Sequence, residues 1–265
     1  MSKRARLADQ RQADVLPWHV PEEEWYASTL AHWTTQVQAE TNDGVLGGYG
    51  DIHSVDSSGS LDFIAAWHAG RLPAGGESGR HAGTAARELS PIPHARALDC
   101  GAGIGRVSDG VLLHVCEHVE LVEVSPALLE SARSRLARYA PRVSYTSASL
   151  REFEPPAGAF DLVWLQWVLG HLTDTDVLAL LRRCRASLRT SGAIVVKDNN
   201  AVPSDCEEGN PNYCIDTENA SVCRSHAHLR ALFKRAKLRV INCEQQLGFP
   251  RELHAVRMYL LVPAT

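Results

Sequence analysis

Ala97-Leu98-Asp99-Cys100-Gly101-Ala102-Gly103-Ile104-Gly105-Arg106 is the stretch that decides how this chain folds. A short apolar run carries one acid, then breaks into three alternating glycines. Downstream, Val107, Val111, Leu112 and Val115 fall on one helical face. A strand, a glycine turn and a helix in that order open a doubly wound α/β sheet. Backbone without Cβ atoms can approach a nucleotide closely. The next apolar run, Val119-Glu120-Leu121-Val122, ends at Glu123. A carboxylate at that strand tip can accept both hydroxyls of a ribose.

The glycine spacing selects the ligand. A dinucleotide fingerprint puts a glycine at its sixth position, so that a pyrophosphate can rest on the helix N-terminus. Arg106 stands there instead. Gly101-x-Gly103-x-Gly105 suits a nucleoside without a pyrophosphate, of which S-adenosylmethionine (SAM) is the common one. The competing explanation is a glycine turn that binds nothing, and the placement of Glu123 weighs against it.

The chain has 265 residues, 45% of them hydrophobic and 22% charged, enough for one domain with a sizeable core. A formal net charge of −4 favours a basic ligand or peptide over nucleic acid. Seven cysteines without a C-x-x-C pair and without a signal peptide imply reduced thiols, hence a cytoplasmic or nuclear setting. No apolar run reaches membrane-spanning length, so no membrane partner is expected. No metal-ligand spacing, Gly-x-Ser-x-Gly elbow or P-loop is present.

The chain divides as follows. Residues 1–16 read as a disordered polar tail. Residues 17–68 read as a helical extension and lid. Pro21-Glu22-Glu23-Glu24 starts a helix, and Trp25, Tyr26, Leu30, Trp33 and Val37 form its aromatic stripe. Asp43 to Gly50 is glycine-dense, as hinged lids are. Leu61 to Trp67 reads as a short helix, and residues 69–94 as an irregular insertion. Residues 95–265 form the core. Val143-Ser144-Tyr145 is a third strand, and Phe160 to Gln166 a fourth. Asp174 caps a helix that Gly192 ends, and Ala193 to Asn199 is a fifth strand. Residues 200–221 form an acidic excursion over the same sheet edge. Ser225 starts another helix, and Arg239–Gln245 and Ala255–Val262 close the sheet as an antiparallel pair. Glu123, Gln166, His171, Asp198 and Asn199 thus collect at strand tips over one mouth, where open α/β sheets bind ligands. Each alone is equally a helix cap or a buried hydrogen bond.

Three strings carry a resemblance. Leu98 to Arg106, Trp164-Leu165-Gln166-Trp167-Val168-Leu169-Gly170-His171-Leu172-Thr173-Asp174 and Val196-Lys197-Asp198-Asn199 together resemble the eukaryotic protein alpha-N-methyltransferases. That family methylates the α-amine of proteins whose exposed N-terminus reads Xaa-Pro-Lys or Xaa-Pro-Arg. The resemblance implies a Rossmann-like, seven-stranded SAM-dependent methyltransferase fold with an N-terminal helical extension, in an expected monomer. SAM would be the donor and S-adenosylhomocysteine the product. Gly101, Gly103 and Arg106 would hold the methionine end of SAM with Trp33 nearby. Glu123, where the family usually has aspartate, would take the ribose, and Leu150 and Gln166 would flank the adenine and methionine parts. Trp167 would pack on the second-residue proline, and Leu46 and Ile52 would line the peptide channel. Asn199 would bond the first peptide carbonyl, and His171 would accept a proton near the amine. Asp216 and Glu218 would face the third-residue Lys or Arg. The sequence departs from the family at Asn219, where the family has an aspartate that orients and deprotonates the amine, and at His32 and His254, where tyrosine is usual. Two other readings stay open: a SAM-dependent enzyme acting on a small molecule, and a non-catalytic module that binds N-terminal tails.

Overall fold

The computed structural model describes residues 21–36, 41–68, 92–202, 204, 212–216 and 220–264. The expectations for the 1–16 tail, nearly all of the 69–94 insertion, Glu218 and Asn219 lie outside these residues.

Alternation of side chains along the strands builds the core. On β1 (Ile92–Cys100), Leu98 and Cys100 point to one face and Ala97 to the other. β2 (Cys116–Glu123) and β3 (Val143–Ser147) follow, then β4 (Phe160–Gln166) and β5 (Leu188–Asn200). On β4, Val163 and Leu165 join Leu98, whereas Leu162 and Trp164 join Ala97. Apolar residues on both faces are what a parallel strand covered by helices requires. The first face is covered by two helices, Asp174–Ser187 and His226–Arg235, through Val177, Leu181, Leu229 and Phe233. The second is covered by Phe63 and Ile64 of His53–His68 and by Ala132 of Pro126–Arg135.

The sheet has seven strands in the order β3-β2-β1-β4-β5-β9-β8, where β8 is Leu238–Gln245 and β9 is Ala255–Pro263. β1 to β5 pair in parallel, and β9 runs antiparallel to both β5 and β8. The order reverses between β1 and β4. The crevice beyond their C-terminal ends is therefore the binding edge.

Five local readings need correction. The helix after the glycines is a π-helical turn, Ser108–Leu112, and one α turn, Leu113–Val115. The short helix expected at 61–67 runs from His53 to His68. Thr173, not Asp174, caps its helix, accepting the Asp176 N–H at 3.1 Å. Gly192 does not end that helix but lies inside β5, where an added Cβ would meet the Phe160 carbonyl at 2.9 Å. The 200–221 excursion contains a two-stranded ribbon, β6 (Tyr213–Asp216) and β7 (Ser221–Arg224).

Candidate active site

The glycine turn adopts left-handed backbone at each of its glycines, with φ of 69° at Gly101, 54° at Gly103 and 73° at Gly105. The reason for glycine differs among them. A Cβ at Gly101 would strike Val168 at 2.5 Å, and one at Gly105 would meet Leu136 at 3.0 Å. A Cβ at Gly103 would meet no atom within 4 Å, because this glycine opens onto a cavity of about 290 Å³. Only Gly103 therefore supports the ligand-approach argument; the other two are demanded by packing.

Glu123 lines the same cavity. Its carboxylate accepts the Gly103 and Ser125 N–H groups, each at 2.9 Å. Burial pushes its pKa up, while bonds from the Ser125, Gly103 and Val124 backbone pull the other way. A carboxylate offers about four lone-pair sites, so these backbone bonds leave room for a further donor. Leu150, Gln166, Arg106 and Trp33 line the cavity too. A glycine cradle, a braced carboxylate at the second strand tip and apolar walls fit an adenosine-bearing sulfonium.

Arg106 and Gln166 are fixed by a residue the sequence did not single out. Asp56, on the His53–His68 helix, is 1% exposed. It pairs with Arg106 Nη1 at 2.5 Å and Lys197 Nζ at 2.5 Å, and accepts from Gln166 Nε2 at 2.9 and 3.0 Å. Burial opposes its charge, but Lys197 and Arg106 outweigh it and hold the carboxyl below the usual carboxylate range. Lys197 is fully buried and also donates to Ser60 and Gln246.

A second cavity of about 280 Å³ adjoins the first. Leu46, Ile52, Trp167, Asp198, Asn199 and Val222 are among its walls. Trp33, Val45, Leu46, Trp167 and His171 line both cavities, so the two meet at two indoles and one imidazole. Trp167 has a left-handed φ of 53°. Its indole N–H is buried without a hydrogen-bond partner among the described residues. Such a donor costs about 1–3 kcal/mol unless something supplies an acceptor.

His171 is held on three sides. Its Nδ1 lies 3.2 Å from the Ala220 carbonyl, so that nitrogen carries the proton. Nε2 then accepts the Trp33 indole N–H at 3.1 Å. The Trp25 indole bonds the His171 carbonyl. Burial lowers the His171 pKa to about 4, with Ala220 and Asp216 opposing the shift and His32 adding to it. The imidazole is neutral at neutral pH. Arg224 fixes the turn beneath it, donating to the Leu169 and Leu172 carbonyls and pairing with Asp174 at 2.7 Å.

Burial pushes the Asp198 carboxyl up to about 7, against the bond from the Asn199 N–H and the charge of Arg224. It is a carboxylate in the second cavity poised near neutrality, a candidate base by that criterion. Asp216 is exposed and does not line either cavity, though its charge reaches His171. The cofactor-side residues and Trp167, Asn199, Leu46 and Ile52 are brought together; Asp56 and the pKa of Asp198 were not foreseen.

Residues 21–262 match the family described as AdoMet dependent proline di-methyltransferases. The chain is 39% identical over 226 residues to the N-terminal Xaa-Pro-Lys N-methyltransferase 1 of Danio rerio, covering 83% of this chain and 88% of that protein. It is 33% identical over 246 residues to the alpha N-terminal protein methyltransferase 1 of Arabidopsis thaliana, covering 91% and 81%. A solved SAM-dependent methyltransferase of Leishmania major superposes with a TM-score of 0.73 at 32% identity, covering 91% of this chain and 85% of that one. The resemblance read from the three strings is borne out, and the chain belongs to the AdoMet-dependent proline di-methyltransferase family.

Proposed function

We propose that this protein transfers methyl groups from SAM to the α-amine of proteins whose exposed N-terminus reads Xaa-Pro-Lys or Xaa-Pro-Arg. The observation that carries the reading is the junction of two cavities at Trp167 and His171. One has the glycine cradle and ribose carboxylate of a nucleoside site. The other is a channel whose polar groups, Asp198 and Asn199, sit at a strand tip beside the junction.

SAM supplies, when bound, a methyl on a positively charged sulfur, open to in-line attack by an amine lone pair. The protein's work is alignment, which is worth about 7–11 kcal/mol when the near-attack geometry is right. Gly103 and Glu123 hold the nucleoside, and Asp56 keeps Arg106 and Gln166 turned toward it. Trp167 packs on the second-residue proline, and its unpartnered indole N–H offers a bond to a ligand acceptor. Asn199 bonds the first peptide carbonyl, and Leu46 and Ile52 flank the entering chain. An α-amine has a pKa of about 7.7–8.0, so the proton to be removed is weakly held. Asp198, poised at about 7, accepts it. His171, expected from the resemblance to be the acceptor, has its Nε2 taken by the Trp33 indole and a pKa of about 4, so it serves as a neutral wall that positions Trp33 at the junction. A carboxylate at 219 is then not required. Asp216, exposed on β6 outside the channel walls, is the described acid that meets the third-residue cation.

Asn199→Lys and His171→Ala test this assignment. Both are expected to abolish most Xaa-Pro-Lys peptide methylation while S-adenosylhomocysteine binding, read by calorimetry, persists. Parallel loss of nucleoside binding in both variants refutes the roles given to these residues.

A further inference from the structure

Cys214, Cys223 and His254 form a cluster that the transfer reaction does not use. Cys214 on β6 and Cys223 on β7 are directly opposite each other across the antiparallel ribbon, which puts their side chains on one face. His254 immediately precedes β9. One donor atom from each of the three lies within 4.8 Å of the others. No other group of three metal-ligating side chains is so placed among the described residues. Linear spacing hides the cluster: the cysteines are brought together by ribbon pairing, and the histidine comes from a distant loop.

We infer that Cys214, Cys223 and His254 form a binding site for a zinc-class divalent ion in the wall of the peptide channel, and that the ion inhibits the enzyme reversibly. Two thiolates and one imidazole select a borderline-soft metal such as Zn²⁺ over Mg²⁺ or Ca²⁺. Zn–S and Zn–N bonds of about 2.3 and 2.0–2.1 Å in a tetrahedron place the donor atoms roughly 3.5–3.8 Å apart. Side-chain shifts of about 1 Å from the observed spacing would close the set. Both thiols release their protons to solvent as the bonds form. Three protein donors leave the fourth position for water.

The location gives the consequence. Cys223 and His254 line the channel beside Asn199 and Trp167, whereas Cys214 is not among its walls. An ion there draws the β6–β7 ribbon toward the start of β9 and occupies space the peptide needs. The Ala220 carbonyl that holds His171 immediately precedes β7, so the same movement reaches the imidazole at the junction of the two cavities. Inhibition is therefore competitive with peptide and not with SAM.

The inhibitory part rests on the peptide-channel reading; the metal site itself does not. The first test is a Co²⁺ titration of the full, reduced, metal-free chain. A thiolate-to-cobalt charge-transfer band saturating at one equivalent and lost on adding Zn²⁺ is expected, and His254→Tyr should lose it. The second is zinc inhibition of peptide methylation in wild type and Cys214→Ser. Removing even an outer-shell partner costs roughly 10–100-fold in metal affinity, so loss of a ligand should raise the inhibitory zinc concentration by about tenfold or more. Activity of Cys214→Ser in chelator should equal wild type. Absence of the cobalt band, or equal zinc sensitivity of the two proteins, overturns the site. A cobalt band in a protein that methylates no Xaa-Pro-Lys peptide supports the metal site and overturns the substrate reading, and inhibition with it.

Discussion

Asp56→Asn isolates the buried hub behind the nucleoside cavity, whose walls include its partners Arg106 and Gln166. The substitution keeps the side-chain shape and removes one negative charge. Lys197 is 0% exposed and Arg106 is 5% exposed, so neither cation can turn to water without a rearrangement. Breaking a buried pair from one side costs about 3–5 kcal/mol. The remaining bonds from Lys197 to Ser60 and Gln246 place this case toward the lower end. For a domain of this size each kcal/mol moves Tm by about 2–4 °C, so the expected fall is roughly 6–12 °C. The loss should also appear in the cofactor site. Arg106 and Gln166 each lose a charge-assisted bond of about 1.5–3 kcal/mol that fixes their orientation, and nucleoside affinity should fall by about tenfold or more. The sign with pH follows from the depressed pKa of Asp56. Its stabilisation is complete above the ordinary carboxylate range and is lost as pH falls through the still lower folded-state value. The gap between wild type and variant should hold from pH 8 to pH 5 and narrow only in stronger acid. Thermal unfolding at several pH values and calorimetry with S-adenosylhomocysteine read both effects. A Tm within about 2 °C of wild type, with unchanged nucleoside affinity, refutes the claim that Asp56 organises this centre.

Trp167→Ala should lower kcat/KM for an Xaa-Pro-Lys peptide by about 2 kcal/mol or more, roughly thirtyfold. Its stability cost should stay below the roughly 3–5 kcal/mol of an ordinary buried tryptophan, because an unpartnered donor leaves with the ring. Unchanged peptide kinetics would remove this indole from the channel wall. Asp198→Asn should abolish the limb of the pH–rate profile near 7. The raised folded-state pKa of Asp198 means the native protein holds a proton that the unfolded chain has lost between about pH 4 and 7. Wild type therefore loses stability across that window as pH rises. Asp198→Asn should be the more stable protein at pH 8 but not at pH 4, as measured by thermal unfolding. An unaltered profile together with unaltered stability would remove Asp198 from the proton path.

The parts of the site legible in the sequence are those carried by contiguous strings at strand tips. Gly103, Glu123 and the Gln166–His171 run each sit where a buried apolar strand ends, and strand ends can be read from hydrophobic runs. Asp56 could not be read this way. It sits on a helix among polar neighbours, and its partners lie 50, 110 and 141 residues away. Thr173 and Asp174 are both good capping residues, so local sequence does not choose between them. What separates them is tertiary: Arg224 and His228 occupy the Asp174 carboxylate. Gly192 read as a helix stop because a glycine after a helical run commonly is one. Its actual constraint, the Phe160 carbonyl, belongs to the neighbouring strand. The β6–β7 ribbon was concealed by a stretch rich in Asn, Pro and acids, whose local chemistry favours a loop.

The junction of nucleoside cavity and peptide channel is tested most directly by tandem mass spectrometry. The reaction contains this protein, SAM and an Ala-Pro-Lys peptide, beside an otherwise identical Ala-Ala-Lys peptide. Methyl groups should accumulate on the α-amine of the proline-containing peptide and scarcely on the other. Methylation confined to the lysine side chain, equal modification of both peptides, or no modification of either would contradict an indole-walled slot that seats a chain terminus against the sulfonium.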